Sequence, residues 1–183
     1  MRVGIDFDGV LCDTMTAMIA YGAGHGLRLT PRDCIGAGGP AGLTAAQFVR
    51  LVEDTHRTAY ALEMAPIDGA IEAMHHIGRD HDLFIVTARR DAAYENAQRW
   101  VAQFGLTPLI REFVSTAGTT KAAICQTHSL DVLIDDFPQH LDGLPTAVLP
   151  ILWHAEYNAE AAIVPPMERV THWAALTARL RSR

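Results

Sequence analysis

Two aspartates separated by one residue, Asp6 and Asp8, close the apolar run Val3-Gly4-Ile5 and precede Gly9. In an extended segment residues two apart point the same way, so both carboxylates can address one spot. Gly9 tolerates backbone angles closed to other residues, which lets the chain leave the strand sharply. Carboxylates this close repel unless a cation, a proton or a positive neighbour offsets them. The pair therefore points to metal-assisted or acid–base chemistry; the plain alternative is a solvated loop that carries two acids. Further reactive residues also follow apolar runs. Thr87 and Ala88 come after Leu83-Phe84-Ile85-Val86, Asp135-Asp136 come after Val132-Leu133-Ile134, and Lys121 opens a short helical segment. Taken singly each has an ordinary reading: Thr87 as a helix cap, Lys121 as a surface lysine, Asp136 as the cap of a turn at Phe137-Pro138.

The elements that must hold these residues alternate. A first strand is expected over residues 2–7. Met15, Met18, Ile19 and Gly22 then mark one face of a helix, and Thr30-Pro31-Arg32-Asp33 reads as a short helix start. Gly36-Ala37-Gly38-Gly39-Pro40-Ala41-Gly42 matches a dinucleotide fingerprint on paper. No strand precedes it and Pro40 lies inside it, so a loop or hinge is expected. Thr44 to Gln47 forms a capping box for a helix running to about Leu62, with Phe48, Val52, Thr55 and Ala59 as packing positions. Beyond Pro66 come a helix with Ala70, Ile71, Met74 and Ile77 inward, the buried strand at 83–86 and a helix from Asp91 to Phe104 stopped by Gly105. A strand at 110–114, a helix from Lys121, a strand at 132–134 and a strand at 146–152 follow. Pro150 lacks an amide donor, which places that last strand at a sheet edge. Pro165-Pro166 then introduces a final helix with Met167, Val170, Trp173, Ala174 and Leu180 inward.

Strands alternating with helices predict a parallel α/β sheet, and all three loaded sites lie beyond strand ends, where such sheets place ligands. Residues from about 14 to 65 carry only helix and loop signals. They are expected to form a small helical cap inserted after the first strand, on a core of 1–13 and 66–183.

The 183 residues suit one domain, 49% apolar and 20% charged. A net charge of −6 and a pI near 5.8 give no reason to expect a nucleic acid polymer or an anionic membrane as partner. Cys12, Cys34 and Cys125 are odd in number and widely spaced, which fits a reducing compartment. No apolar run approaches the roughly 20 residues of a membrane span, and no signal peptide is evident. A cytoplasmic location is the expectation.

Asp6-Phe7-Asp8-Gly9-Val10, Thr87, Lys121 and Asp135-Asp136, in this order and context, resemble the four motifs of the haloacid dehalogenase superfamily. Within it the chain looks most like the 5′(3′)-deoxyribonucleotidase branch, through Leu62 to Ala70, Thr87-Ala88-Arg89, the Trp100 helix, Tyr157-Asn158 and Trp173. The resemblance implies a Rossmann-like sheet of order 5-4-1-2-3. It implies Asp6 as nucleophile forming an aspartyl phosphate, and Asp8 as general acid–base with a carboxyl raised by its acidic neighbours. It implies Mg²⁺ on the side chains of Asp6 and Asp135 and the backbone carbonyl of Asp8, with Asp136 behind them. Thr87 and the amide of Ala88 would hold a phosphate oxygen, and Lys121 would offset charge. The implied substrate is a small phosphorylated molecule, with a (deoxy)nucleoside monophosphate preferred. A sugar phosphate or another phosphorylated metabolite is the alternative, and a catalytically silent binding protein is a third reading. Tyr21, Phe48 and Tyr60 are the aromatics available in the cap for stacking on a base. A homodimer is compatible with the sequence and not indicated by it.

Overall fold

The computed structural model describes residues 1–35 and 43–182, so the glycine-rich stretch at 36–42 lies outside the described residues. Six parallel strands form one sheet: β1 (Arg2–Ile5), β2 (Asp82–Thr87), β3 (Ile110–Ser115), β4 (Val132–Asp135), β5 (Leu149–Trp153) and β6 (Glu168–Val170). Their order is β3-β2-β1-β4-β5-β6. The helices are α1 (Thr14–Gly24), α2 (Ala45–His56), α3 (Ala70–Ile77), α4 (Asp91–Gln103), α5 (Lys121–His128), α6 (Pro138–Leu141) and α7 (Trp173–Arg181). No helix among the described residues is long and apolar enough to cross a membrane.

Alternation along the central strands assigns every second residue to one face. Val3, Ile5, Leu83, Ile85, Val132, Ile134 and Ile151 pack beneath α3, α4 and α7. Phe84, Val86, Leu133 and Leu152 face the opposite layer, where Ile124 and Cys125 of α5 and Leu141 of α6 cover them. Both faces are buried, as the continuous apolar runs require. Trp100 anchors the first layer: its indole N–H donates to the Met64 carbonyl at 2.8 Å, and its ring meets Phe7 edge-on at 5.2 Å.

The five-strand order is extended by β6, so β5 is internal and the edge position expected from Pro150 is corrected. Leu149 donates its amide to Asp131 and His154 donates to Val170, so alternate amides of β5 point to β4 and β6. Pro150 falls on the β6 side, but β6 begins pairing only at Ile151. The missing donor thus faces no strand. The expected final helix also divides, into β6 and α7, because the free edge of β5 offers the segment after Pro166 a ladder to join. His172 then caps α7 by accepting the Ala175 amide. Within α7, Leu176 is buried and Ala174 exposed, reversing the expected place of Ala174.

Between β1 and α3 the described residues hold α1, α2 and two 3-10 turns, with no strand. Met18, Cys34 and Leu51 centre a separate apolar cluster there. The capping box forms as expected, Thr44 accepting the Gln47 amide, but α2 stops at His56 and only a 3-10 turn covers Ala59–Leu62. The chain leaves the core and returns to it side by side: Asp13 donates to the Ala65 carbonyl and Ile67 to that of Leu11, both at 2.9 Å.

Candidate active site

The alternation that buries Ile5 and Ile134 beneath α3 and α4 sends Asp6 and Asp135 to the other face, toward the start of α5. There Thr120 accepts the Ala123 amide and starts the helix at Lys121. The Lys121 ammonium reaches Asp6 Oδ1 at 2.9 Å and Asp135 Oδ2 at 2.5 Å. All three side chains are at least nine-tenths buried. The Asp135 carboxylate also accepts the Phe137 amide at 2.9 Å, and His140 Nδ1 of α6 lies 3.1 and 3.2 Å from its two oxygens.

This packing sets the charges. Burial pushes the Asp6 carboxyl up to about 7; Lys121 opposes it, while Asp135 and Asp8 reinforce it. Burial works against the Lys121 ammonium, but the two carboxylates outweigh it and hold the lysine charged. Burial raises Asp135 too, and Lys121 with His140 more than reverses that, leaving it below the ordinary carboxylate range. Asp136 is raised well above that range, first by burial and then by the charges of Asp6 and Asp135. One of its oxygens accepts the Tyr157 hydroxyl and the other, Oδ1, is buried with no hydrogen-bond partner.

Asp8 turns a different way. Arg89 grips it through Nε at 2.9 Å and Nη2 at 2.6 Å, Thr14 donates its hydroxyl at 2.5 Å, and His56 Nε2 stands 3.9 Å off. Burial raises this carboxyl, but the Arg89 guanidinium more than cancels the effect and holds it well below the usual range. The raised Asp8 expected from its acidic neighbours is therefore corrected: the nearest strong charge is a cation. Burial and the Arg89 charge together keep His56 neutral, down to about 4.

Thr87 is fully buried at the end of β2, and its hydroxyl accepts the Arg89 amide at 3.1 Å. Ala88 is exposed at the mouth of the site, between a cavity of about 310 Å³ beside Asp8 and another of about 460 Å³ beside Lys121. The structure thus gathers Asp6, Lys121, Asp135 and Asp136 directly, with Asp8 two residues along and Thr87 and Ala88 on the adjacent strand end. Sequence reading gave no role to Arg89, His56, Thr14 or His140. Arg89 had one available signal: two residues past Thr87, it returns to the same side and lies over the Phe7 ring at 4.8 Å. His56 and Thr14 had none.

Gly9 has φ +71°, and a Cβ there would stand 2.3 Å from Asp136 Oδ2. Gly9→Ala is expected to cost at least tenfold in kcat and several degrees in Tm. Gly105 has φ +70° but open space around a Cβ, so Gly105→Ala should lose stability alone, about 1–2 kcal/mol. Parallel kinetics and melting of the two variants check this; equal kcat in both would remove the steric argument.

Asp6 just past β1, Thr87 and Asp135 closing β2 and β4, and Lys121 heading α5, on a parallel sheet of this order, are the arrangement of a haloacid dehalogenase-type phosphatase. The sequence model for "5' nucleotidase, deoxy (Pyrimidine), cytosolic type C protein" matches residues 1–182. The chain belongs to that family. It is similar to the provisionally named nucleotidase BH1399 of Halalkalibacterium halodurans, 25% identical over 179 residues, covering 94% of this chain and 88% of that protein. Among solved structures it resembles the haloacid dehalogenase-like hydrolase SP0104 of Streptococcus pneumoniae, with TM-score 0.69, 15% identity and 97% of each chain covered. It also resembles the magnesium-bound YfnB hydrolase of Bacillus subtilis, with TM-score 0.63, 15% identity and 98% of each chain covered. These two likenesses concern the fold.

Proposed function

We propose that this phosphatase is a Mg²⁺-dependent nucleotidase that hydrolyses (deoxy)nucleoside monophosphates through an aspartyl phosphate on Asp6. The observation that carries the reading is the buried Asp6–Lys121–Asp135 group at the carboxyl ends of β1 and β4. The donor set fits Mg²⁺: carboxylate oxygens at the strand ends, with the unpartnered Asp136 Oδ1 beside them. Asp6, Asp135 and the Asp8 carbonyl would hold the ion, which supplies charge neutralisation to phosphoryl oxygens.

Asp6 Oδ attacks phosphorus, a P–O bond to the carboxylate forms, and the bond to the leaving oxygen breaks. Lys121 stays against Asp6 and offsets charge on the transferring group, while Thr87 and the Ala88 amide orient it. Asp8 starts as a carboxylate clasped by Arg89. Its role as proton donor to the leaving oxygen requires that clasp to loosen and a proton to be taken up when substrate arrives. In the second half the ionised Asp8 accepts a proton from the water that attacks the aspartyl phosphate, and phosphate and free Asp6 result.

The described residues of the 14–65 segment act as the cap over this centre. The cavity beside Asp8 is lined from the cap by Met15, Met18, Phe48 and Val52, and from the core by Phe137 and Tyr157. Phe48, expected to serve packing, therefore borders the space a leaving group would occupy. Tyr21 instead stacks on His25, and Tyr60 donates its hydroxyl to Ala17. An apolar, aromatic chamber suits a nucleobase better than a polyhydroxylated sugar. With Mg²⁺ present, kcat/KM for deoxynucleoside monophosphates is expected to exceed that for hexose phosphates at least tenfold. Equal values across the panel would reject the nucleotide reading and favour the alternative of another phosphorylated metabolite.

A further inference from the structure

A ring nitrogen of His140 lies within 4.8 Å of a carboxylate oxygen from each of Asp6 and Asp135, and these three are the one set of such groups among the described residues placed to hold a metal together. We propose that His140 is a protein ligand to the metal, giving this phosphatase a mixed nitrogen–oxygen site. The inference rests on the metal-binding reading above and goes beyond it, since that reading assigns oxygen donors alone.

Three observations support it. The first is spacing. Adjacent ligands on an octahedral ion with bonds near 2.1 Å stand about 3.0 Å apart. His140 Nδ1 is 3.1 Å from Asp135 Oδ1. The second is local construction. Pro138 starts α6 one residue after the acids at the end of β4, and this single turn of helix brings His140 back to Asp135. The third is what surrounds the cluster. Asp136 Oδ1 is buried without a hydrogen-bond partner, and its carboxyl feels the charges of both Asp6 and Asp135. The side chain of His140 is 37% exposed, so the ring can turn between Asp135 and a bound ion without crossing the core. An Nδ1 ligand carries its remaining proton on Nε2, and an imidazole shifts preference away from Mg²⁺ toward softer divalent ions such as Co²⁺.

The competing arrangement is an Nδ1–H that donates to Asp135 and orients it from outside the coordination shell. Mn²⁺ bound to the full-length protein separates the two. Electron spin-echo envelope modulation should show imidazole ¹⁴N coupling, absent in His140→Gln although Mn²⁺ still binds. The Co²⁺ to Mg²⁺ affinity ratio should fall about tenfold or more in the same variant. Bound Mn²⁺ without nitrogen coupling, or coupling that survives in His140→Gln, overturns the ligand assignment and leaves the metal reading standing. Failure of Mn²⁺ to bind, or binding untouched by Asp135→Asn, overturns both.

Discussion

Asp6→Asn should lower turnover of an aryl phosphate by about 10⁴-fold or more while leaving the protein folded. An amide cannot form the phosphorus–oxygen bond that the proposed intermediate requires. It still offers an oxygen to the Phe7 amide, which donates to Asp6 Oδ1 at 2.8 Å. Lys121 keeps Asp135 as a partner, and a buried like charge beside Asp135 is removed. Metal-free Tm should therefore hold or rise. Turnover within tenfold of the parent, on a variant whose melting is unchanged, would mean that another group attacks phosphorus.

Lys121→Met should act on stability as strongly as on rate. It retains most of the apolar stem and leaves two buried carboxylates facing each other with no ammonium between them. Removing one partner of a buried ionic group costs about 3–5 kcal/mol. For a chain of this size that is roughly 6–20 °C in Tm. The pH dependence has a definite sign. Lys121 favours ionised Asp6, whose carboxyl titrates at about 7 in the parent and higher once the lysine is gone. At pH 6 a proton on Asp6 replaces much of what the lysine did, so the loss is smallest. It grows as pH rises through 7 and beyond, where the parent keeps a neutralised pair and the variant must ionise unaided. Mg²⁺ should recover more stability in the variant than in the parent. Melting curves with a chelator and with Mg²⁺, at pH 6 and 8.5, check all three statements. A metal-free Tm within two or so degrees of the parent at pH 8.5 would show that Lys121 is not the counter-ion of this site.

Much of this site was legible because it follows from strand alternation. Asp6 and Asp135 each lie one step past a buried residue on strands whose apolar runs are unmistakable, and Lys121 begins a capped helix. Their meeting needs only a parallel sheet with α5 on the correct face. What surrounds Asp8 was not legible, because it depends on side chains distant in sequence. Arg89 and Asp8 are 81 positions apart, and His56 reaches the site only because α2 ends where it does. The raised carboxyl expected for Asp8 failed for that reason: acids adjacent in sequence were counted, and the arginine brought by another strand was not. The edge position expected of Pro150 was a sound local rule applied without the neighbour's length. A partner strand that starts one residue late removes the conflict. Phe48 illustrates a third case, since helical spacing told which side of α2 is apolar but not that this side also opens on a chamber.

The paired hydrogen bonds from Asp13 to Ala65 and from Ile67 to Leu11 hold the two crossings between sheet and cap next to each other. The described residues between them also rest on α4, where Asn96 donates to the carbonyls of His56 and Thr58. The described residues of the insert add no strand to the sheet, so their lining can change while the pairing that places Asp6 and Asp135 is kept. Exchanging residues 14–65 for the corresponding segment of a relative, with kcat/KM read across nucleotide and sugar phosphates, tests whether substrate choice resides there.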